Sequence, residues 1–186
     1  ASAVAGLSLG EYSALAYASV FTPAQGASLV RARGKIMAEA LPAGTSGMAA
    51  VLNTEASVIR EVCEEVRTIG VCEIANYNCP GQIVISGQKA AVEAATEKLK
   101  ERGARRVIPL AVSGAFHTSL LQEASQKLEQ VLQTYTFASP GVPVIANVSG
   151  VQETRDLKEV LKEQISHSVQ FTQSIETMLD MGIDTF

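Results

Sequence analysis

The apolar positions of this chain recur with two different periods, and the places where the period changes mark out its elements. Ala3-Val4-Ala5 is a short apolar run that reads as a buried strand. Gly6-Leu7-Ser8-Leu9-Gly10 turns it into a helix carrying Tyr12, Leu15, Ala16 and Ser19. After Phe21, Thr22 offers an N-cap, Pro23 suits the first helical position and Gln25 completes a capping box, so a second helix is predicted to about Ala40. Its residues Leu29, Val30, Ile36, Met37 and Ala40 share one stripe at about 100° per residue. Arg33 falls near the middle of that stripe and Arg31 opposite it.

Leu41-Pro42-Ala43-Gly44-Thr45-Ser46-Gly47 breaks the period, and beyond it the pattern changes. Met48–Leu52 reads as a strand, Glu55 to about Thr68 as a helix, and Val71–Tyr77 as a strand. Pro80-Gly81 turns into a third strand, Gln82–Gly87; Lys89 to Arg102 is helical and Arg106–Leu110 is a last strand. The order βαββαβ predicts a ferredoxin-like unit inserted in a larger α/β domain. A helix to about Thr134, a buried strand over Val142–Val148, a helix through Leu161 and Gln164, and a final helix from about Thr172 to Met181 complete the pattern.

Composition narrows the classes. With 186 residues, 47% of them apolar, a full core of one or two units is available. The net charge of −4 argues against nucleic acid and anionic membrane as partners. No apolar run reaches the roughly 18 to 20 residues that span a bilayer. Cys63, Cys72 and Cys79 are odd in number and lack C-x-x-C spacing, which predicts free thiols in a reducing, cytoplasmic compartment. With only His117 and His167 and no metal-ligand spacing, a metal site is not expected. The chain opens directly in a buried-type strand and ends at an apparent strand entry, Gly182–Phe186, so its natural termini are expected to lie further out.

The chemistry concentrates at Ser8. Gly6 and Gly10 flank it at the −2 and +2 positions, where side chains would collide with the strand and helix that a sharply turned nucleophile brings together. The backbone N–H groups of the following helical turn would face negative charge developing at Ser8. A serine of this kind needs a base, and His117, at an element junction, is the candidate. His167, with no nucleophile near it in sequence, is read as non-catalytic. A guanidinium on a buried face is costly unless an anion meets it, so Arg33 is either a structural ion pair or a clamp for a substrate carboxylate, whose two oxygens its planar fork fits.

The string Gly6-Leu7-Ser8-Leu9-Gly10-Glu11-Tyr12-Ser13-Ala14-Leu15 resembles the active-site segment of the malonyl-CoA:acyl carrier protein transacylases. Ser113-Gly114-Ala115-Phe116-His117 resembles the segment bearing their catalytic histidine, and the similarity runs the whole length of the chain. The resemblance implies an α/β-hydrolase-like acyltransferase domain, residues 1–43 and 114–186, incomplete at both ends, with a ferredoxin-like subdomain at 44–113. It implies Ser8 as acyl-accepting nucleophile, His117 as base and acid, Arg33 as clamp for the malonyl carboxylate, and Leu9 as a backbone oxyanion donor. The main-chain carbonyl of Gln164 would orient His117. Phe116 would fill the space an α-methyl group needs, and Asn76, Asn78 and Asn147 would lie near the substrate.

Malonyl-CoA would be the substrate and acyl carrier protein, bringing its own phosphopantetheine, the partner; no further cofactor is implied. A freestanding monomer of fatty acid synthesis is expected. A polyketide synthase acyltransferase domain, a serine esterase or thioesterase, and a non-enzymatic acyl-binding domain remain alternatives. The departures from the family are Leu7 where many members have His, His167-Ser168 where Asn-Pro is common, and the lack of the Gly-Gln-Gly and Gly-Pro-Gly segments. The missing segments imply either a piece of a longer chain or a truncated, crippled product.

Overall fold

The helical stripes and the period-two strands collapse into separate cores in the computed structural model, which describes residues 1–112 and 114–186. Ser113, the first residue of the predicted histidine segment, lies outside the described residues. The first core joins helices α1 (Leu9–Tyr17), α2 (Pro23–Ala38), α5 (Gln122–Gln133) and α6 (Leu157–Gln164) through Leu15, Leu29, Leu128 and Leu161. The capping box forms: the Thr22 hydroxyl accepts the Gln25 N–H, and Gln25 Oε1 accepts the Thr22 N–H at 2.9 Å. α2 ends at Ala38, two residues before its expected end.

The second core is built by β1 (Ser46–Leu52), α3 (Ala56–Glu65), β2 (Cys72–Cys79), β3 (Gln82–Gln88), α4 (Lys89–Glu101) and β4 (Arg106–Pro109). The strands lie in the order β4-β1-β3-β2, all pairs antiparallel. This is the βαββαβ arrangement that the periods predict. Alternation along the strands sorts the two faces. Ala49, Val51, Ile83 and Ile85 pack under α3 and α4, while Met48, Ala50 and Val84 point the other way, with Ala75, and meet Phe116. The aromatic ring next to His117 therefore packs against the face of this sheet that α3 and α4 leave open. α3 is shorter than expected; a single 3-10 turn, Val66–Thr68, follows it.

Two expectations need correction. The strands read at Ala3–Ala5 and Val142–Val148 shrink to isolated bridges: Val4 to Val144, parallel, with Val4 N–H donating to Pro143 C=O and Ile145 N–H to Val4 C=O, each at 2.9 Å, and Ile145 to Gln152, antiparallel. Pro143 has no N–H to extend the ladder, and the elbow at Gly6 ends the run. Conversely, Val169–Gln170, read only as the approach to the last helix, forms β5, parallel to β2 at Asn76 and Tyr77, before α7 (Phe171–Asp180). Two residues are too few to carry a period. All three cysteines are free thiols.

Candidate active site

Ser8 occupies a conformation that non-glycine residues seldom adopt, with φ 52° and ψ −104°. Such a backbone costs about 1–3 kcal/mol and persists only where its surroundings hold it. Three hydrogen bonds do so. Ser8 N–H donates to Asn147 Oδ1 at 2.6 Å, Asn147 Nδ2 donates to Gly6 C=O at 2.7 Å, and Gln164 Nε2 donates to Ser8 C=O at 2.9 Å. A Cβ on Gly6 would lie 2.1 Å from the carbonyl carbon and oxygen of Gly10, so only glycine fits there. Gly10 does not share that requirement, because a Cβ at that position meets nothing within 4 Å. The close approach is between the Gly6 α-carbon and the Gly10 carbonyl, and it constrains only the first glycine.

The elbow presents Ser8 Oγ to two side chains from distant parts of the chain. His117 Nε2 lies 2.8 Å from Oγ, and the Arg33 guanidinium donates to the same oxygen through Nη2 at 2.8 Å. His117 has φ 60° and its main-chain N–H donates to Ile165 C=O at 3.0 Å, which anchors the backbone that carries the ring. Its Nδ1 lies 2.8 Å from the Gln164 main-chain carbonyl, which can only accept. Nδ1 therefore carries the proton, and Nε2 is left with a lone pair for the Ser8 hydroxyl. Burial, helped by the Arg33 charge, lowers the His117 pKa from 6.5 to about 4, so the ring is neutral at pH 7.

Arg33 is 5% exposed. It lies over the Tyr12 ring, 5.5 Å from its centroid, and its polar contacts are to neutral groups, Ser8 Oγ and Gln164 Oε1 at 3.0 Å. Its Nε is buried without a partner among the described residues. Among the described residues the structural ion pair that the buried stripe allowed is therefore absent, and the guanidinium is short of an anion.

A residue the sequence reading passed over sits beneath this arrangement. Glu11, 1% exposed, accepts Asn147 N–H through Oε1 at 3.1 Å and Gln164 Nε2 through Oε2. Burial raises its pKa from 4.5 to about 7 against these hydrogen bonds and the attraction of Arg33. The test that singles out Arg33, a charge on an apolar helical stripe, finds Glu11 too, since Leu15 and Ala18 lie four and seven residues on. Gln164, implied only through its main chain, contributes its whole carboxamide.

The remaining predicted residues are placed as follows. Asn147 is fully buried, and its carboxamide is occupied by the elbow rather than turned to a substrate. Asn76 lies on β2, and no described hydrogen bond joins it or Asn78 to Ser8; Asn78 Oδ1 is buried without a partner among the described residues. Phe116 is half-buried between the two cores. Of the first N–H groups of α1, Gly10 donates to Leu7 C=O and Glu11 to Ser8 C=O, and Leu9 N–H, next to the serine, has no acceptor among the described residues. His167 is exposed and bonds to Glu163 C=O at 2.9 Å. The described residues contain no cluster suited to a metal ion and no helix long and apolar enough to cross a membrane.

Residues 1–186 match the acyl transferase domain family throughout. The chain belongs to that family. It is similar to the malonyl CoA-acyl carrier protein transacylase of Bacillus subtilis, 46% identical over 185 residues that cover 98% of this chain and 58% of that protein. Among solved structures, the MCAT of Streptococcus pneumoniae superimposes with a TM-score of 0.94 at 45% identity, covering 100% of this chain and 61% of that one. A type II PKS acyl-carrier protein in complex with its malonyl-transacylase gives 0.95 at 39% identity, covering 98% and 60%. The α/β-hydrolase-like acyltransferase fold with a ferredoxin-like insertion is thus shared, and the chain spans about three-fifths of the length of these relatives.

Proposed function

We propose that this chain carries the nucleophile, base and carboxylate clamp of a malonyl-CoA:acyl carrier protein transacylase, a cytoplasmic enzyme supplying malonyl units for fatty acid synthesis. In this reading residues 1–43 and 114–186 form the catalytic domain and 44–113 the small subdomain. The observation that carries the reading is the buried Arg33 guanidinium, hydrogen-bonded to Ser8 Oγ and without an anionic partner among the described residues. An acyl group attached to Ser8 and ending in a carboxylate would supply the missing charge, and the planar fork would take both its oxygens. A simple esterase has no use for a buried cation at the acyl end. The malonyl substrate in the relatives' names agrees with this chemistry.

The reaction proceeds in two transfers. His117 Nε2 takes the Ser8 hydroxyl proton as Oγ attacks the thioester carbonyl of malonyl-CoA. The negative charge on the carbonyl oxygen faces the unpaired Leu9 N–H. The carbon–sulfur bond breaks, CoA leaves as a thiol with the proton from His117, and malonyl-Ser8 remains. His117 then takes the proton of the phosphopantetheine thiol on acyl carrier protein, the sulfur attacks the ester, and Ser8 recovers its proton. No cofactor beyond the two carriers takes part. Phe116, beside His117, limits room at the acyl α-carbon. The complex of a related malonyl-transacylase with an acyl-carrier protein supports that class of partner.

The test is intact-protein mass spectrometry of the natural-length protein after brief exposure to malonyl-CoA. A malonyl adduct is expected, lost in Ser8→Ala, with Arg33→Ala shifting labelling from malonyl-CoA toward acetyl-CoA. Absence of the adduct, or an unchanged acyl preference in Arg33→Ala, would overturn the assignment.

A further inference from the structure

Arg33 reaches the acyl end of the site through Gln164, and Gln164 has two chemically opposite ends. Oε1 accepts from Arg33 Nη2 at 3.0 Å, while Nε2 donates to Ser8 C=O at 2.9 Å and to Glu11 Oε2. If the carboxamide turned over, its N–H groups would oppose the guanidinium, donor against donor. Arg33 selects the oxygen end, and Glu11 supplies the charged acceptor for the nitrogen end, anchored at its second oxygen by Asn147 N–H.

We propose that Glu11 is a positioning residue for acyl selectivity: its carboxylate fixes the orientation of the Gln164 carboxamide, which in turn holds Arg33 where a substrate carboxylate is bound. The inference rests on the reading of Arg33 as that clamp. It works because both neighbours of the carboxylate, Gln164 Nε2 and Asn147 N–H, are donors. A protonated Glu11 would place a third donor among them. Either the carboxamide turns over or one of these bonds breaks, and each outcome loosens the hold on Arg33.

The ionisable surroundings are consistent with a change of state near neutrality. Arg33 on α2 favours the Glu11 carboxylate, Glu153 on the segment before α6 opposes it, Tyr12 adjoins it on α1, and burial dominates, bringing its pKa to about 7. His117 stays outside this window because its pKa is lowered to about 4. A transition near pH 7 therefore belongs to a different group from the base.

The experiment compares Ser8 acylation by malonyl-CoA and acetyl-CoA, as the ratio of their kcat/KM values, in the natural-length protein between about pH 5.5 and 8.5. The ratio cancels the titration of His117 and of the CoA phosphate near pH 6, since both substrates share them. The malonyl carboxylate, with an ordinary pKa near 4, stays ionised. The expected result is a malonyl-to-acetyl ratio that falls about tenfold as pH drops through 7, carried by KM, the effect of losing one hydrogen bond to a charged group. Glu11→Gln should hold the ratio at its low-pH value and make it independent of pH, whereas Glu11→Asp should restore part of the dependence. A purely structural role would lower both substrates together and leave the ratio unmoved.

A flat ratio in the unmodified protein overturns the proposal without recourse to any variant, as does a Glu11→Gln protein with the unmodified ratio and profile. A malonyl adduct with a flat ratio defeats only the role of Glu11, while no adduct at any pH defeats the transacylase reading along with it.

Discussion

Replacing Glu11 by glutamine should unmask a pH dependence of stability that the unmodified protein conceals. Glu11 and His117 are both buried and both perturbed, in opposite directions. The carboxyl rises from 4.5 to about 7, so the folded state holds its proton more tightly. That contribution is fully present below pH 4.5 and is lost as pH rises through 7. The imidazole falls from 6.5 to about 4, so the folded state resists its proton. Its contribution is fully present above pH 6.5 and is lost as pH falls through 4. Each change is worth about 3 kcal/mol at roughly 1.4 kcal/mol per pH unit. Between pH 4.5 and 6.5 the two slopes have opposite sign and similar size, and they cancel. Urea unfolding of the natural-length protein at several pH values from about 4 to 8 measures this. Relative to the unmodified protein, Glu11→Gln should gain about 3 kcal/mol as pH rises across that range, and His117→Gln should lose a similar amount. A difference between variant and unmodified protein that stays constant with pH would refute the reasoning, because it would mean that neither group changes its proton affinity on folding.

The two glycines around Ser8 should separate cleanly by the same unfolding measurement. Gly6→Ala puts a carbon 2.1 Å from the Gly10 carbonyl and should cost about 4 kcal/mol or more, or prevent folding. Gly10→Ala, in open space at the start of α1, should be neutral or stabilising by about 0.5 kcal/mol; equal effects would contradict the geometry. Asn147→Ala removes the acceptor of Ser8 N–H and the donor to Gly6 C=O. It should cost about 2–4 kcal/mol and slow acylation by malonyl-CoA and acetyl-CoA alike, since it frees the elbow without touching Arg33. A selective loss of malonyl transfer would place Asn147 at the substrate instead.

What the sequence revealed was whatever a few neighbouring residues decide. The Thr22-Pro23-Gln25 cap needs only its own turn, and the βαββαβ order follows from period changes that each span about ten residues. The shortfalls are of another kind. β5 is two residues long and exists because β2 offers an edge beside Asn76 and Tyr77. The strands read at Ala3–Ala5 and Val142–Val148 looked regular from their apolar runs, yet pairing depends on a partner with N–H groups to give, and Pro143 has none. At the site, Ser8, His117 and Arg33 were legible because each violates its local pattern: a hydroxyl at a turn between glycines, a lone imidazole at a junction, a cation on an apolar stripe. Asn147 and Gln164 violate nothing locally. Their roles arise from hydrogen bonds that span 139 and 156 residues of chain, respectively.

Glu11 is the instructive omission, because the rule that found Arg33 applies to it equally. Applied to both, the rule leads to a wrong contact. Two opposite charges on the buried faces of adjoining helices should pair directly, since neither is otherwise compensated for leaving water. The structure instead sets the Gln164 carboxamide between them, donating to Glu11 and accepting from Arg33. A direct ion pair would satisfy Arg33 within the protein and leave it little affinity for anything else. The neutral amide transmits the polarity of the carboxylate while leaving the guanidinium its full charge. A buried cation held in this way is positioned but not neutralised, which is what recognition of a second carboxylate requires. The contact that pairing rules would predict is the one that would abolish the proposed carboxylate site.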